Sequence, residues 1–163
     1  MENMSFEVKL TRNDLFVFNM YHTYTHSTGW VSIILGLFAI GFGIYSLKDG
    51  SSLLYNAIYI GAGFLLLAYI PVTLFIRAGA GVKPGSALGK TITYTITDYA
   101  LLIKMGESEA EMPWNSVYKL KNKSKRMFIY TSRINAFIIP KECIDKNIEA
   151  TLISHCKAAE ETL

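Results

Sequence analysis

Lys119, Lys121, Lys123 and Lys125 alternate along the chain and run into Arg126, the strongest charge feature of this sequence. On a strand, that alternation projects Lys119 and Lys121 to one side and leaves the remaining cations at a hairpin tip. A charged tip discourages edge pairing. It also suits an anionic lipid surface, where each basic residue close to the headgroups contributes about 1 kcal/mol. Trp114 follows Pro113 at a break in the pattern, a place for a core anchor or for a contact with a protein partner. Tyr118 and Tyr130 are expected to point into the sheet, so base stacking is absent and nucleic acid is not an expected partner.

The other chemical constellations are incomplete. Pro84-Gly85-Ser86-Ala87-Leu88-Gly89-Lys90-Thr91 approaches a phosphate loop. That motif needs glycine where Pro84 stands, and a helix after it to help hold the phosphates. His22 and His26 share a face if helical, but zinc needs a third ligand and none is obvious. Tyr21 and Tyr24 beside them suggest an interfacial aromatic belt instead. Cys143 stands near an expected helix start without basic partner chemistry, so an inert packing role is expected. With Cys156 on the same helix, the two thiols would lie about 20 Å apart, beyond disulfide reach. Glu107, Glu109 and Glu111 read as solvated turn residues. No cofactor, metal or catalytic residue is expected, and the chain does not read as an enzyme.

The elements that position these residues begin with two uncharged apolar runs, Trp30–Leu47 and Leu53–Ile76. As helices they measure roughly 27 Å and 36 Å, enough to cross a hydrocarbon core of about 30 Å. The linker Lys48-Asp49-Gly50-Ser51-Ser52 is turn chemistry. So short a link makes the two helices antiparallel neighbours, a transmembrane hairpin over residues 29–77. Gly36, Ala39 and Gly43 on the first helix, and Ala57, Gly61 and Ala68 on the second, let backbones approach. Packing within the hairpin is the simple reading, and a homo-oligomer is the other. Pro71 lies near the end of its run, where a kink costs least. Asn56 is the one amide in the second span, close to the loop. Lys48 faces Lys9, Arg12, Arg77, Lys83 and Lys90 across the bilayer, which puts both termini in the cytoplasm. The net charge of +3 is modest.

Residues 78–90 read as a flexible linker, and beyond it the period changes to two. Thr91 to Thr97 alternates apolar and hydroxyl residues as a half-buried strand does. Further strands are expected at residues 100–104, 110–112, 117–121, 127–131 and 136–139. A closing helix over Lys141–Ala159 carries an Ile144, Ile148, Leu152 stripe. Phe6-Glu7-Val8-Lys9-Leu10 alternates like a strand, and Asn13 or Asp14 is the expected cap of a helix running to Tyr24. Residues 1–28 thus form an N-terminal strand and juxtamembrane helix. If that strand joins the later sheet, residues 91–160 and the N-terminus make one domain split by the hairpin.

Tyr94-Thr95-Ile96-Thr97-Asp98, Pro113-Trp114-Asn115-Ser116-Val117, Phe128-Ile129-Tyr130 and Phe137-Ile138-Ile139-Pro140-Lys141 together resemble the YcxB-like family. The resemblance covers residues 91–142 best, and Val8-Lys9-Leu10-Thr11 with Asp14 is similar to the family's opening. It implies a bacterial inner-membrane protein with two membrane helices and a small β-rich, pleckstrin-homology-like domain. The fold expected is therefore membrane α+β, a helical hairpin joined to an antiparallel β domain with a C-terminal helix. The family brings no established activity. The function expected is binding, to a protein partner or to the anionic membrane surface. The alternative is a subunit of a membrane assembly or transporter acting through small-residue helix faces.

Overall fold

Apolar and hydroxyl side chains that alternate along a strand put one class on each face of a sheet. The computed structural model, which describes residues 4–25 and 27–160, builds its first sheet this way. β1 (Met4–Val8), β2 (Ile92–Ile96), β3 (Ala100–Met105) and β4 (Ser108–Pro113) pair antiparallel in that order. Phe6, Val8, Ile92, Tyr94, Ile96, Leu101 and Ile103 are buried on its inner side. Ser5 and Thr95 bond through their hydroxyls at 2.8 Å on the outer side. Gly106, at φ +64°, turns β3 into β4; a left-handed first turn position suits a two-residue hairpin.

β1 pairs with a strand that follows the apolar helices. Phe6 stands opposite Tyr94 and Val8 opposite Ile92, and the Phe6 and Tyr94 rings stack at 5.2 Å. The strand covers Met4–Val8 rather than starting at Phe6, and Leu10 is buried beyond its end.

The second sheet holds β5 (Lys119–Asn122), β6 (Arg126–Tyr130) and β7 (Ala136–Pro140), again antiparallel. Its central strand is buried from Met127 to Tyr130. Pro113 ends β4, and Trp114–Ser116 coil into a 3-10 turn that separates the two sheets. The closing helix, α4 (Lys146–Glu160), starts later than the sequence suggested. Asp145 caps it, accepting the Ile148 amide at 2.7 Å, while Lys141–Cys143 form a 3-10 turn. Cys143 therefore lies off the helix, and both cysteines are free. Leu152, Cys156 and Ala159 form the buried face of α4.

Three helices interrupt the sheet: α1 (Arg12–Thr25), α2 (Ser27–Lys48) and α3 (Leu53–Gly81). The chain clusters into two compact units, one of residues up to Leu15 and from Ala80 onward, the other of Phe16–Gly79. Gly29–Lys48 and Leu53–Gly81 are long and apolar enough to cross a membrane, with only 11% and 6% of their apolar windows buried. Core helices of a water-soluble fold would be covered on most sides. Between the two helices Gly50 takes φ +72°. Ser51 Oγ meets Ser46 Oγ at 2.7 Å and donates to Asn56 Oδ1 at 3.2 Å. Asn56, 1% exposed, thereby ties the loop to the first turn of α3.

The seam between α2 and α3 differs in part from the expected stripe. A Cβ on Gly36 would lie 2.8 Å from Leu67, and one on Gly43 would lie 2.8 Å from Ile60. On α3 the matching residue is Gly63, whose Cβ would meet Ile40 at 2.5 Å. Gly61 has nothing within 4 Å, and Ala57 and Ala68 are exposed, so that stripe faces away from α2. Ala39 is half-buried. The reason is angular: Asn56, Ile60, Gly63 and Leu67 follow the helical repeat of one face, and residues 57, 61 and 68 sit about 100° round from it.

Two further expectations are corrected. α3 continues through Ala78 and Gly79 to Gly81, so Pro71 lies well inside it and denies the Leu67 carbonyl its usual amide. The return segment also folds back onto the helix end. Ser86 Oγ donates to the carbonyls of Gly81 at 2.6 Å and Lys83 at 2.7 Å, capping the helix end. A Cβ on Gly89 would clash with the Lys83 carbonyl, so only glycine fits this coil.

Candidate binding surface

The start of α1 supplies the domain's most demanding polar contact. Thr11 and Asp14 form a reciprocal cap: the Thr11 amide and hydroxyl donate to Asp14 Oδ2 at 2.8 and 2.6 Å. The Asp14 amide lies 3.3 Å from Thr11 Oγ1. Thr11 is the N-cap and Asp14 the third helical residue, a threonine-x-x-acid box, which replaces the expected cap at Asn13 or Asp14. The remaining carboxylate oxygen accepts Arg126 Nε at 2.6 Å, with the Asp14 side chain 3% exposed. Burial pushes the Asp14 carboxyl up, but the Thr11 hydrogen bonds and the Arg126 guanidinium outweigh it and hold the carboxyl below its usual value.

Arg126 is thus no part of a free basic tip. A guanidinium fork bonded to a buried carboxylate is committed to the fold. Lys119, Lys123 and Lys125 remain exposed, and Lys121 is half-buried. The tip is held on its other side by the Lys141 amide, which donates to the Lys125 carbonyl at 3.0 Å.

Trp114 is likewise a core anchor rather than a partner-facing one. It is 7% exposed, its indole N–H donates to the Thr97 carbonyl at 2.9 Å, and its ring stacks on His155 of α4 at 4.7 Å and 6°. Tyr130 is buried as expected, but Tyr118 is half exposed, because it precedes β5 and escapes the alternation. Ile134, in the turn before β7, is exposed as well.

The outer face of the first sheet holds an open concavity of about 330 Å³ lined by Thr93, Thr95, Leu102, Lys104, Glu109 and Glu111. Lys104 Nζ and Glu109 Oε1 pair across it at 2.7 Å, with both side chains exposed. Glu109 is therefore paired rather than merely solvated. Hydroxyls and an exposed ion pair offer polar binding chemistry.

Elsewhere, burial pushes the Cys143 thiol up; a backbone hydrogen bond from Lys9 pulls it down, and Glu142 and Asp14 push it up again, with a net rise. A raised thiol is a poor nucleophile. His22 stacks on Phe18 at 6.1 Å, and His26 lies outside the described residues. Among the described residues no group of three His, Cys, Asp or Glu side chains is placed to hold a metal ion.

Residues missed in the sequence are those joined by the fold. Asp14 was visible as a cap but not as the partner of Arg126, 112 residues away. Gly63, two positions beyond the expected Gly61, is the glycine packed against α2. Lys9 directly follows the last rung of the β1–β2 ladder, Val8 opposite Ile92, and Lys90 stands two residues before it, a placement that the two lysines do not announce as topology signals.

Residues 96–156 match the model of the YcxB-like protein family. The match runs from the end of β2 to Cys156 in α4, and leaves β1 and the three preceding helices outside it. No curated protein and no solved structure matches the chain.

Proposed function

We propose that the protein is an integral membrane protein of the bacterial inner membrane. Its α2–α3 hairpin spans the bilayer, and its split β domain, pleckstrin-homology-like in its four-plus-three strands and C-terminal helix, is a cytoplasmic binding module. The observation that carries this is the large share of apolar side chains left uncovered on α2 and α3, among them Phe38, Leu53 and Leu65. Water would not tolerate so continuous an apolar surface, and lipid removes the cost. The β1–β2 ladder supports a same-side placement of both chain ends, since a sheet cannot form across a bilayer. Basic residues near the helix ends favour the cytoplasmic side.

The function proposed is binding rather than catalysis, with a protein partner or the anionic membrane surface as the ligand. Extraction tests the anchor: the full-length chain should stay with membranes through alkaline and high-salt washes and require detergent. Recovery in the aqueous fraction would reject it. Reporter tags at either end should be reached by protease only from the cytoplasmic side.

A second reading is favoured by Gly41 and Gly61, which have nothing packed against them. In that reading a second membrane helix packs on this face, and the protein serves as a subunit of a membrane assembly or transporter.

A further inference from the structure

We infer that the lysines gathered where the chain leaves and re-enters the β domain form a docking face for anionic phospholipid headgroups. This rests on the reading that the hairpin lies in lipid. Four segments separated in sequence meet at this end of the domain. The Arg126–Asp14 bond, at 2.6 Å, pins the start of β6 to the first turn of α1. The bond from the Lys141 amide to the Lys125 carbonyl pins the same tip from behind. Lys123 and Lys125 are therefore held beside residues 9–14. Val8 opposite Ile92 is the last rung of its ladder, with Lys9 one residue beyond it and Lys90 two residues before it, so both lie where the chain leaves and re-enters the sheet. The coil carrying Lys83 closes on Gly81, where an added Cβ would lie 2.9 Å from Leu15, the neighbour of Asp14.

Lys9, Lys83, Lys90, Lys123 and Lys125 are all exposed. Among the described acids, Asp14 is committed to Arg126 and Glu149 to Lys141. The apolar run of α3 stops at Ile76, and Gly81 lies five residues on, roughly 8 Å along a helix. That is inside the screening length of about 10 Å at 0.1 M salt. The ligand chemistry follows from the residue type. Lysine is a compact point charge with no planar fork, so the face reads charge density in a leaflet rather than the shape of one headgroup.

The test uses the full chain in lipid nanodiscs of phosphatidylcholine alone or mixed with phosphatidylglycerol. A fluorophore is attached at Ser124→Cys in a Cys143→Ser background, and a quencher is carried on the lipid headgroups. Quenching should be several-fold stronger in the anionic discs. It should fall with added salt, and fall by up to about fivefold for each Lys→Gln change among Lys9, Lys90, Lys123 and Lys125. Equal quenching in both lipids, or quenching indifferent to salt, overturns the docking face. The salt titration uses the unsubstituted lysines, so it decides the matter even if a lysine variant misfolds. A chain that enters the discs but shows no lipid preference defeats this inference alone; a chain that fails to enter them defeats the anchor as well.

Discussion

Arg126 Nε donates to Asp14 Oδ1 at 2.6 Å, closing a loop of 112 residues with both side chains largely removed from water. The same carboxylate caps α1 through Thr11. Removing one member leaves the other charge buried and unpaired, so Arg126→Met should destabilise the domain by about 3–5 kcal/mol. Asp14→Leu combined with Arg126→Met should recover much of that loss, less about 1 kcal/mol for the missing cap. Chemical denaturation of the detergent-solubilised chain, followed by tryptophan emission, measures both.

The same carboxylate sets an acid limit. Its folded-state value is depressed, so the stability it contributes is complete above the unfolded value of about 3.9 and disappears as pH falls through the folded one. The denaturation midpoint should fall below about pH 4, and less steeply in Asp14→Asn than in the unsubstituted chain. Identical acid profiles for the two would show that Asp14 does not carry the effect.

Trp114 should matter to stability rather than to binding. Trp114→Ala removes the contact with His155 and the bond to Thr97, and should cost about 3–5 kcal/mol. Trp114→Phe keeps much of the ring but leaves the Thr97 carbonyl short of a donor, at about 1–3 kcal/mol. Partner or lipid binding measured on the folded fraction should be unchanged in Trp114→Phe.

Glycine substitutions separate the two faces of α3. Gly63→Leu must push apart Ile40 and the Gly36 backbone, so the hairpin should open, read as loss of a disulfide introduced between α2 and α3. Gly61→Leu meets open space and should leave that disulfide intact. If Gly61→Leu converts an oligomer to monomer in mild detergent, the assembly reading gains ground.

A fragment of residues 83–163 lacks β1, and with it Phe6 against Tyr94 and Val8 at the core. It should aggregate or show poorly dispersed amide resonances. Joining residues 4–15 to residues 80–163 through a short glycine-serine linker should restore a folded, water-soluble domain, since it removes the apolar helices and keeps both β1 and the Asp14 partner of Arg126. Equal dispersion in both fragments would mean that β1 is dispensable.

Local patterns carried much of this architecture. Alternation from Thr91 to Thr97 marks β2, proline at 113 ends β4, and the apolar runs define α2 and α3. What escaped depends on rotation or distance. Gly61 and Gly63 differ by two positions, about 200° round a helix, and composition does not say which faces the partner. The flexible-looking Ala78–Gly85 stretch is helical up to Gly81 because Ser86 satisfies its last carbonyls, a contact that spacing alone does not announce. Arg126 looked like one more cation in a run until a carboxylate from the other side of the hairpin was placed against it. The YcxB-like resemblance is upheld over residues 96–156.

The bond between Ser5 and Thr95 joins residues 90 positions apart, which has a bearing on how the molecule is made. The ribosome releases the first strand long before its neighbour exists, so that strand must wait, unpaired, until both greasy helices have been made. In the proposed topology, a chain with only one of them threaded would leave the waiting strand and its mate in different compartments. Closure of the ladder would then act as a parity check on biogenesis, passed only by chains that went across and came back.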